Sequence, residues 1–172
     1  MKKPRTSRQR EQVKREFQQK VVEIKRVTRV VAGGKRMRFR ALVVIGDLKG
    51  RVGIGTKKGM DVSEAINKAV SAAKKNMITV NLYNGTIPHE ARLKYKSSLV
   101  FLKPAQPGTG LIAGGAIRAV LESAGVKNVL SKMLGSPNKI NNVMATYLAL
   151  SKMRPRLSKQ VKSEPKKEVV TV

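Results

Sequence analysis

Two valine- and isoleucine-rich stretches joined by a glycine turn place the strongest restriction on the fold of this chain. They cover residues 20–31 and 37–45, and Ala32-Gly33-Gly34-Lys35 lies between them. Glycine accepts the positive φ that short hairpin loops require, so the pattern predicts an antiparallel β-hairpin. Alternation in the second stretch predicts two faces, one with Met37, Phe39, Ala41, Val43 and Ile45, the other with Arg38, Arg40, Leu42 and Val44.

A third strand and a helix are expected to complete the first half. After a turn at residues 47–50, residues 51–55 predict a short strand. Asp61 followed three residues later by Glu64 is typical of a capping box, and apolar residues at helical spacing predict a helix over 62–76. The first half should therefore be a three-stranded antiparallel sheet with one helix packed across a face.

The second half predicts a domain of strands and helices. We expect a connection with a short extended piece over 83–97, a strand over 98–103, a glycine-rich loop from residue 107, and helices over 114–124, 126–134 and 142–153. The fold class is α+β, with two small α/β domains and basic disordered arms. The expected bounds are an arm over 1–16, domains over 17–82 and 83–153, and a tail over 154–172.

The charge of the chain indicates its partner. Its 172 residues include 37 Lys and Arg against 10 Asp and Glu, a net charge of +27. Residues 1–20 carry 8 − 2 = +6, residues 21–150 carry 22 − 6 = +16, and residues 151–172 carry 7 − 2 = +5. Residues 21–150, which contain most of the predicted strands and helices, are themselves basic. A polyanion is therefore needed to neutralise this part of the chain, and nucleic acid is the leading choice.

Composition argues against several other functions. There is no cysteine, His89 is the only histidine, and the acids are dispersed, so we expect no catalysis, no metal site and no cofactor. No apolar run of about 20 residues predicts a membrane span, and we expect a cytoplasmic protein. With three Phe, three Tyr and no Trp, RNA recognition should use phosphates, sugars and shape more than base stacking.

Cations near the predicted hairpin are the main candidates for RNA binding. Six lie within 15 residues with no acid among them, namely Arg26, Arg29, Lys35, Arg36, Arg38 and Arg40. Further candidates are Arg51, Lys57, Lys58, Lys75, Lys103 and Thr109. The alternating glycines of residues 50–55 predict close approach of another backbone, and either RNA or a packed helix satisfies that prediction.

The loop over 108–114 follows a strand and opens a helix, as nucleotide-binding loops do. It lacks the Gly-Lys-Ser/Thr of a triphosphate loop, and residues 126–140 contain no acid to bind a ribose. Two interpretations stay open, a phosphate contact at exposed amides and a loop that is glycine-rich for packing.

Ordered motifs in both halves resemble the family of small-subunit ribosomal protein five. They are Gly34-Lys35, Phe39, residues 44–47, residues 50–55, Asp61-Val62 and Ala65, then residues 107–115, 119–122, 124–126 and 134–136. The resemblance covers residues 20–150. It implies two α/β domains, the first similar to a double-stranded-RNA-binding fold and the second with a left-handed β-α-β crossover. The chain departs from the family pattern at Lys57, where relatives usually have a small residue.

The resemblance also implies a place in the small ribosomal subunit. Contact with ribosomal RNA near the neck and decoding region is expected through residues 26–36, with ribosomal proteins four and eight as neighbours and messenger RNA entering close by. Gly110 and Arg118 match positions linked to decoding accuracy on the face towards ribosomal protein four. No homo-oligomer is expected. The alternatives are a free-standing RNA chaperone or double-stranded-RNA-binding regulator and, thirdly, a nucleotide-dependent enzyme.

Overall fold

The computed structural model describes residues 17–155, which form eight strands and three helices. The first unit contains β1 (Gln18–Val31), β2 (Gly34–Gly46), β3 (Arg51–Gly59), α1 (Val62–Lys75) and β4 (Met77–Thr79). The second contains β5 (Ala91–Tyr95), β6 (Ser98–Pro104), β7 (Leu111–Ile112), α2 (Gly115–Ala124), β8 (Val129–Gly135) and α3 (Lys139–Ser151). The arm predicted over 1–16 and the tail beyond 155 lie outside the described residues. Within 17–155, no helix combines the length and apolarity needed to cross a bilayer.

The first sheet is antiparallel with the order β1-β2-β3-β4. The predicted hairpin is confirmed, and Gly33 at its tip has a φ of 91°. The prediction of three strands was one short, because β4 pairs with the start of β3. Three residues directly after a helix are too few to show a strand pattern. Strand β3 also extends to Gly59, beyond the predicted end at residue 55, since its pairing with β2 continues to Phe39.

Helix α1 packs against glycines of β3. A Cβ at Gly53 would lie 2.3 Å from the carbonyl oxygen of Ala73, and one at Gly55 would lie 2.0 Å from that of Ala69. The facing helix residues Ala65, Ala69 and Ala73 are fully buried. A packed helix, and not RNA, is therefore the close neighbour that the alternating glycines predicted.

The start of α1 differs in detail from the predicted capping box. Asp61 occupies the N-cap position, but its side chain makes no capping hydrogen bond. Glu64 instead accepts hydrogen bonds from Lys68 Nζ at 2.5 Å and from the Met60 N–H at 2.6 Å. These bonds, that from Lys68 first, hold the pKa of Glu64 below its usual range. Only the acidic half of the predicted capping box therefore functions.

The second sheet has the order β5-β6-β8-β7. Strands β7 and β8 are parallel neighbours with α2 between them in sequence, which confirms the expected β-α-β connection in outline. The helix predicted over 126–134 is wrong, because Val129–Gly135 forms β8 at the centre of this sheet. Its apolar spacing fits a helix, but pairing on both sides outweighs local preference. Asn138 caps α3 by accepting from the Ile140 N–H at 3.1 Å, so this helix begins before the predicted residue 142.

The two units share one hydrophobic core, in which α2 lies between the sheets. Leu42 and Val44 of β2 belong to the same buried cluster as Ile117 and Leu121 of α2. The last carbonyls of α2 accept hydrogen bonds from the β2–β3 turn, at 3.2 Å from the Leu48 N–H to Ser123 and 2.9 Å from the Gly50 N–H to Ala124. The first sheet is thus covered by α1 on one face and by α2 on the other. These faces are called the α1 side and the α2 side below.

Candidate nucleic-acid interface

Three cations form a row across the α2 side of the hairpin. Arg40 of β2 lies opposite Lys25 of β1 and opposite Lys58 of β3. Neighbouring strands are about 4.8 Å apart, so these three like charges are close together. Like charges placed directly opposite each other destabilise a sheet. An anion bound over the row would remove that repulsion.

The same side continues as a groove towards the hairpin tip. Arg38 lies opposite Val27, and Arg36 lies opposite Arg29. The groove encloses about 620 Å³ and is lined by Val27, Thr28, Arg29, Val31, Ala32, Arg36, Arg38 and Lys58. Three arginines and a lysine therefore point towards one concave surface that is built from backbone and short apolar side chains.

The remaining hairpin cations lie on the α1 side. Arg26 is opposite Phe39, Lys35 is opposite Val30, and Lys57 is opposite Ala41. Charge thus surrounds the projecting end of the hairpin. Of the six hairpin cations that the sequence singled out, four share the α2 side and two occupy the α1 side.

Few acidic side chains pair with the cations of the hairpin. Glu23 pairs with Lys25 at 3.4 Å and with Lys139 of α3 at 3.7 Å. Within residues 17–155, no acid forms an ion pair with any of the six cations predicted from the sequence. The hairpin therefore presents its charge outward.

Arg51 differs because it takes part in an internal ion pair. Its Nε donates to Asp47 Oδ2 at 2.6 Å, and its guanidinium lies 5.4 Å from the ring centroid of Phe17. Burial acts to raise the pKa of Asp47, but hydrogen bonds from the Arg51 side chain and from the backbone N–H groups of Arg51 and Lys49 outweigh burial, so this pKa lies below its usual range. The structure gives Arg51 a role in holding the β2–β3 turn, and RNA contact at this residue stays a prediction.

Three other predicted residues lie away from the hairpin. Lys75 is exposed in the last turn of α1, and Lys103 is exposed on β6 of the second sheet. Thr109 belongs to the glycine-rich loop, where its N–H donates to the Gln106 carbonyl at 3.2 Å. The next N–H, that of Gly110, donates to Asn128 Oδ1 at 3.0 Å. Both amides are satisfied within the chain, which argues against a phosphate contact at them. Gly108 and Gly110 are explained by backbone conformation, because their φ values are 94° and 74° and a Cβ at either would meet no atom within 4 Å.

Gly110 and Arg118 meet at one corner of the second unit. Gly110 immediately precedes β7, and its carbonyl accepts a hydrogen bond from the Val129 N–H at 3.2 Å. Arg118, exposed on α2, donates from Nη2 to the Leu111 carbonyl at 3.4 Å. The two predicted interface residues therefore belong to the same exposed corner.

Apart from Lys20, which pairs with Glu122, four cations of the two sheets were not among the candidates predicted from the sequence. Lys25 completes the row with Arg40 and Lys58, and its alternation with Val27 could have placed it. Arg92 and Lys94 alternate in β5, which is also readable from the sequence. Lys132 of β8 could not be placed, because that segment was predicted as a helix.

The described residues offer little for metal or acid–base chemistry. Residues 17–155 contain no group of three His, Asp or Glu side chains close enough to hold a metal ion. His89 is exposed beside the turn before β5. Unneutralised cations clustered on one projecting hairpin are the electrostatic footprint of a nucleic-acid-binding protein, and this is the class that the fold and its surface define.

Comparison with known proteins gives the family. The family described as "Ribosomal protein S5, N-terminal domain" matches residues 17–81, and the family described as "Ribosomal protein S5, C-terminal domain" matches residues 93–163. The chain is 52% identical over 139 residues to small ribosomal subunit protein uS5 of Treponema pallidum, with 81% of each chain covered. It is 49% identical over 138 residues to uS5 of Thermotoga maritima, covering 80% of this chain and 78% of the relative. The chain belongs to the ribosomal protein S5 family.

Family membership establishes the broad function. The chain is a structural, non-enzymatic constituent of the small ribosomal subunit in the cytoplasm, and its partners are ribosomal RNA and other ribosomal proteins. This decides against a nucleotide-dependent enzyme, and it favours a ribosomal role over a free-standing RNA chaperone or regulator.

Proposed function

We propose that this chain binds small-subunit ribosomal RNA near the neck and decoding region through its β1–β2 hairpin. Ribosomal proteins four and eight are its proposed neighbours, and messenger RNA enters close by. The observation that carries the proposal is the set of hairpin cations that no described acid neutralises, with Arg29, Arg36, Arg38 and Lys58 around one groove. Phosphates of folded RNA fit this surface, because guanidinium groups bind them through two parallel hydrogen bonds.

The hairpin is suited to reach between RNA helices. It pairs without interruption from Glu23 to Val31. Val43 and Val44 each belong to a buried hydrophobic cluster, whereas no residue of the hairpin end, residues 26–36, belongs to either cluster. A paired two-stranded ribbon keeps its arginines in register, so less conformational entropy is lost on binding than from a free basic tail.

Support for translational accuracy comes from the corner of Gly110 and Arg118. Gly110 directly precedes β7, and Arg118 of α2 donates to the carbonyl of the next residue, Leu111, while no described acid pairs with Arg118. We propose that this corner faces ribosomal protein four, where a change in the contact would alter the error rate of decoding.

Charge reversal at Arg29 and Arg36 tests the hairpin proposal. Together the substitutions Arg29→Glu and Arg36→Glu replace an opposed pair of cations by an opposed pair of acids. We expect affinity for small-subunit RNA to fall at least about tenfold and co-sedimentation with small subunits in a sucrose gradient to decrease, because each lost charge-assisted hydrogen bond contributes about 1.5–3 kcal/mol.

A matched variant controls for net charge. Lys49→Glu with Lys127→Glu changes the total charge equally at exposed positions outside the hairpin, and its incorporation should remain close to that of the unaltered chain. Circular dichroism of both variants verifies folding. Normal incorporation of the folded hairpin variant would remove the hairpin from the RNA-binding surface.

A further inference from the structure

The second sheet has a face that no described element covers. Helices α2 and α3 pack on its inner face, where Val100 and Leu102 of β6 are fully buried. On the opposite, outer face, Ile112 is 51% exposed, Leu130 37% and Leu134 40%. Strand alternation assigns to this outer face the side chains in register with Leu99, Phe101 and Lys103 of β6.

Register arranges these side chains in three rows, and each row contains a cation. The central row has Phe101 of β6 between Arg92 of β5 and Lys132 of β8. The Arg92 guanidinium carbon lies 5.5 Å from the Phe101 ring centroid. The other two rows are Lys94, Leu99 and Leu134, and Lys103, Leu130 and Ile112.

The outer face is positively charged as well as apolar. Its four cations form no ion pair with any acid of residues 17–155. Glu90, directly before β5, is the acid nearest to it along these strands. The face contains no purely apolar patch, because a lysine lies in the same row as each of Ile112, Leu130 and Leu134.

We propose that the outer face is a second RNA-binding surface, separate from the hairpin. This rests on the proposed function, since it requires the chain to be assembled on ribosomal RNA. Phosphates contact Arg92, Lys94, Lys103 and Lys132, and riboses pack against Phe101, Leu130 and Leu134. The wide, shallow minor groove of an A-form helix suits an open sheet face, because it exposes sugars between two lines of phosphate.

The composition of the face favours RNA over a protein partner. Protein–protein interfaces are depleted in lysine and have few charges at their centres. Here Lys132 lies beside Phe101 at the centre of the face, and two further lysines lie in the rows on either side. Interfaces with nucleic acid are much more positively charged, so charge complementarity selects RNA as the occupant.

The cysteine-free sequence makes a direct test possible. A single cysteine introduced by Leu130→Cys can carry a tethered iron chelate that generates hydroxyl radicals beside the outer face. Val30→Cys, at a 73% exposed position on the hairpin, reports on the other surface. Each full-length chain is assembled into small subunits, and RNA cleavage is mapped by primer extension, with the unaltered chain as background because it has no cysteine.

Strong cleavage from Leu130→Cys at sites distinct from those of Val30→Cys is the expected result. Cleavage from Val30→Cys alone would overturn this proposal and leave the hairpin proposal standing. Backbone cleavage of a neighbouring protein by the chelate on Leu130→Cys, without RNA cleavage, would assign the face to a protein instead. No cleavage from either position would overturn the proposed function together with this inference.

Salt dependence supplies a second measurement. Arg92→Gln, Lys94→Gln and Lys132→Gln together should reduce the slope of log affinity against log salt by about 2 to 3, since each released phosphate contact contributes roughly 0.9. Lys49→Gln, Lys127→Gln and Lys152→Gln remove equal charge from other exposed positions and should change the slope by less than 1. Equal slopes for the two triple variants would contradict a specific contact at the outer face.

Discussion

At the scale of single residues, the glycines of β3 show how the absence of a side chain determines packing. Gly53, Gly55 and Gly59 all lie on the α1 side, where backbone atoms of α1 occupy the space that a Cβ would need. The helix can approach the sheet closely because alanines face these glycines. The alternating pattern was visible in the sequence, but the identity of the neighbour was not, since a pattern in one strand contains no information about what packs on it.

Gly55→Ala is expected to destabilise the fold by about 1–3 kcal/mol, because overpacking in a dense core forces the backbone to move. Its Cβ would lie 2.0 Å from the Ala69 carbonyl oxygen, an atom that cannot move alone. Gly115→Ala is the matched control, since no atom lies within 4 Å of its Cβ and alanine favours the helix that starts there. Urea unfolding of both variants measures the difference, and equal stability would contradict close helix–sheet contact.

At the scale of elements, the β2–β3 turn depends on one carboxylate. Asp47 Oδ1 accepts from the Lys49 N–H at 2.8 Å and from the Arg51 N–H at 2.9 Å, while Oδ2 accepts from the Arg51 side chain. The same turn donates the Leu48 and Gly50 N–H groups to the end of α2. The sequence predicted the turn but not this second function, because the end of α2 is more than 70 residues away.

Asp47→Asn should lower the free energy of unfolding by about 1–2 kcal/mol at pH 7, where charge-assisted hydrogen bonds are lost. The pKa of Asp47 is lowered in the folded state, so its contribution is complete above the unfolded pKa of about 3.8 and disappears as the pH falls through the folded pKa. The difference in stability between the two proteins should therefore shrink once the pH falls below about 3.8 and should vanish only below the folded pKa of Asp47. Asp61→Asn, at a side chain without a capping bond, should change little at either pH. A difference that persists in acid would contradict this role of the carboxylate.

Strand β8 shows the limit of prediction at this scale. Its apolar residues Val129, Leu130, Met133 and Leu134 repeat as in a helix, and the Gly125 that precedes them ends α2 with a φ of 85°. The segment is nevertheless a strand, because β6 and β7 supply hydrogen-bonding partners on both sides. The misplaced element also concealed Lys132, and with it the outer face.

At the scale of the whole molecule, the shared core makes the two units dependent on each other. Buried residues of β2, β3, α2, α3 and β6 belong to one cluster, and α2 contacts both units. Gly125 has its Cβ position 2.1 Å from the Leu48 carbonyl oxygen, so the units approach as closely as backbones allow. Cooperative unfolding of residues 17–155 follows from this continuity.

Leu121→Ala, at a fully buried position in the shared core, should destabilise both sheets together by about 2–5 kcal/mol. Hydrogen exchange of amides in β2 and in β6 measures the two sheets separately, and we expect protection to fall by a similar amount in each. Ile66→Ala removes packing from the smaller cluster under α1, and the loss of amide protection that it causes is compared with that of Leu121→Ala. Loss of protection in β6 alone would show that the two units unfold independently.

Local sequence patterns were sufficient to predict the hairpin, helices α1 and α2, the predominance of cations and, through ordered motifs, the family. These properties are local or additive, since periodicity, turn residues and net charge are each readable within a short segment. Three features became visible only in the fold: β8 is a strand, α1 is the neighbour of the β3 glycines, and one core joins the two sheets. Pairing and packing join residues far apart in the chain, and their free energy outweighs the weak local preference of any one segment.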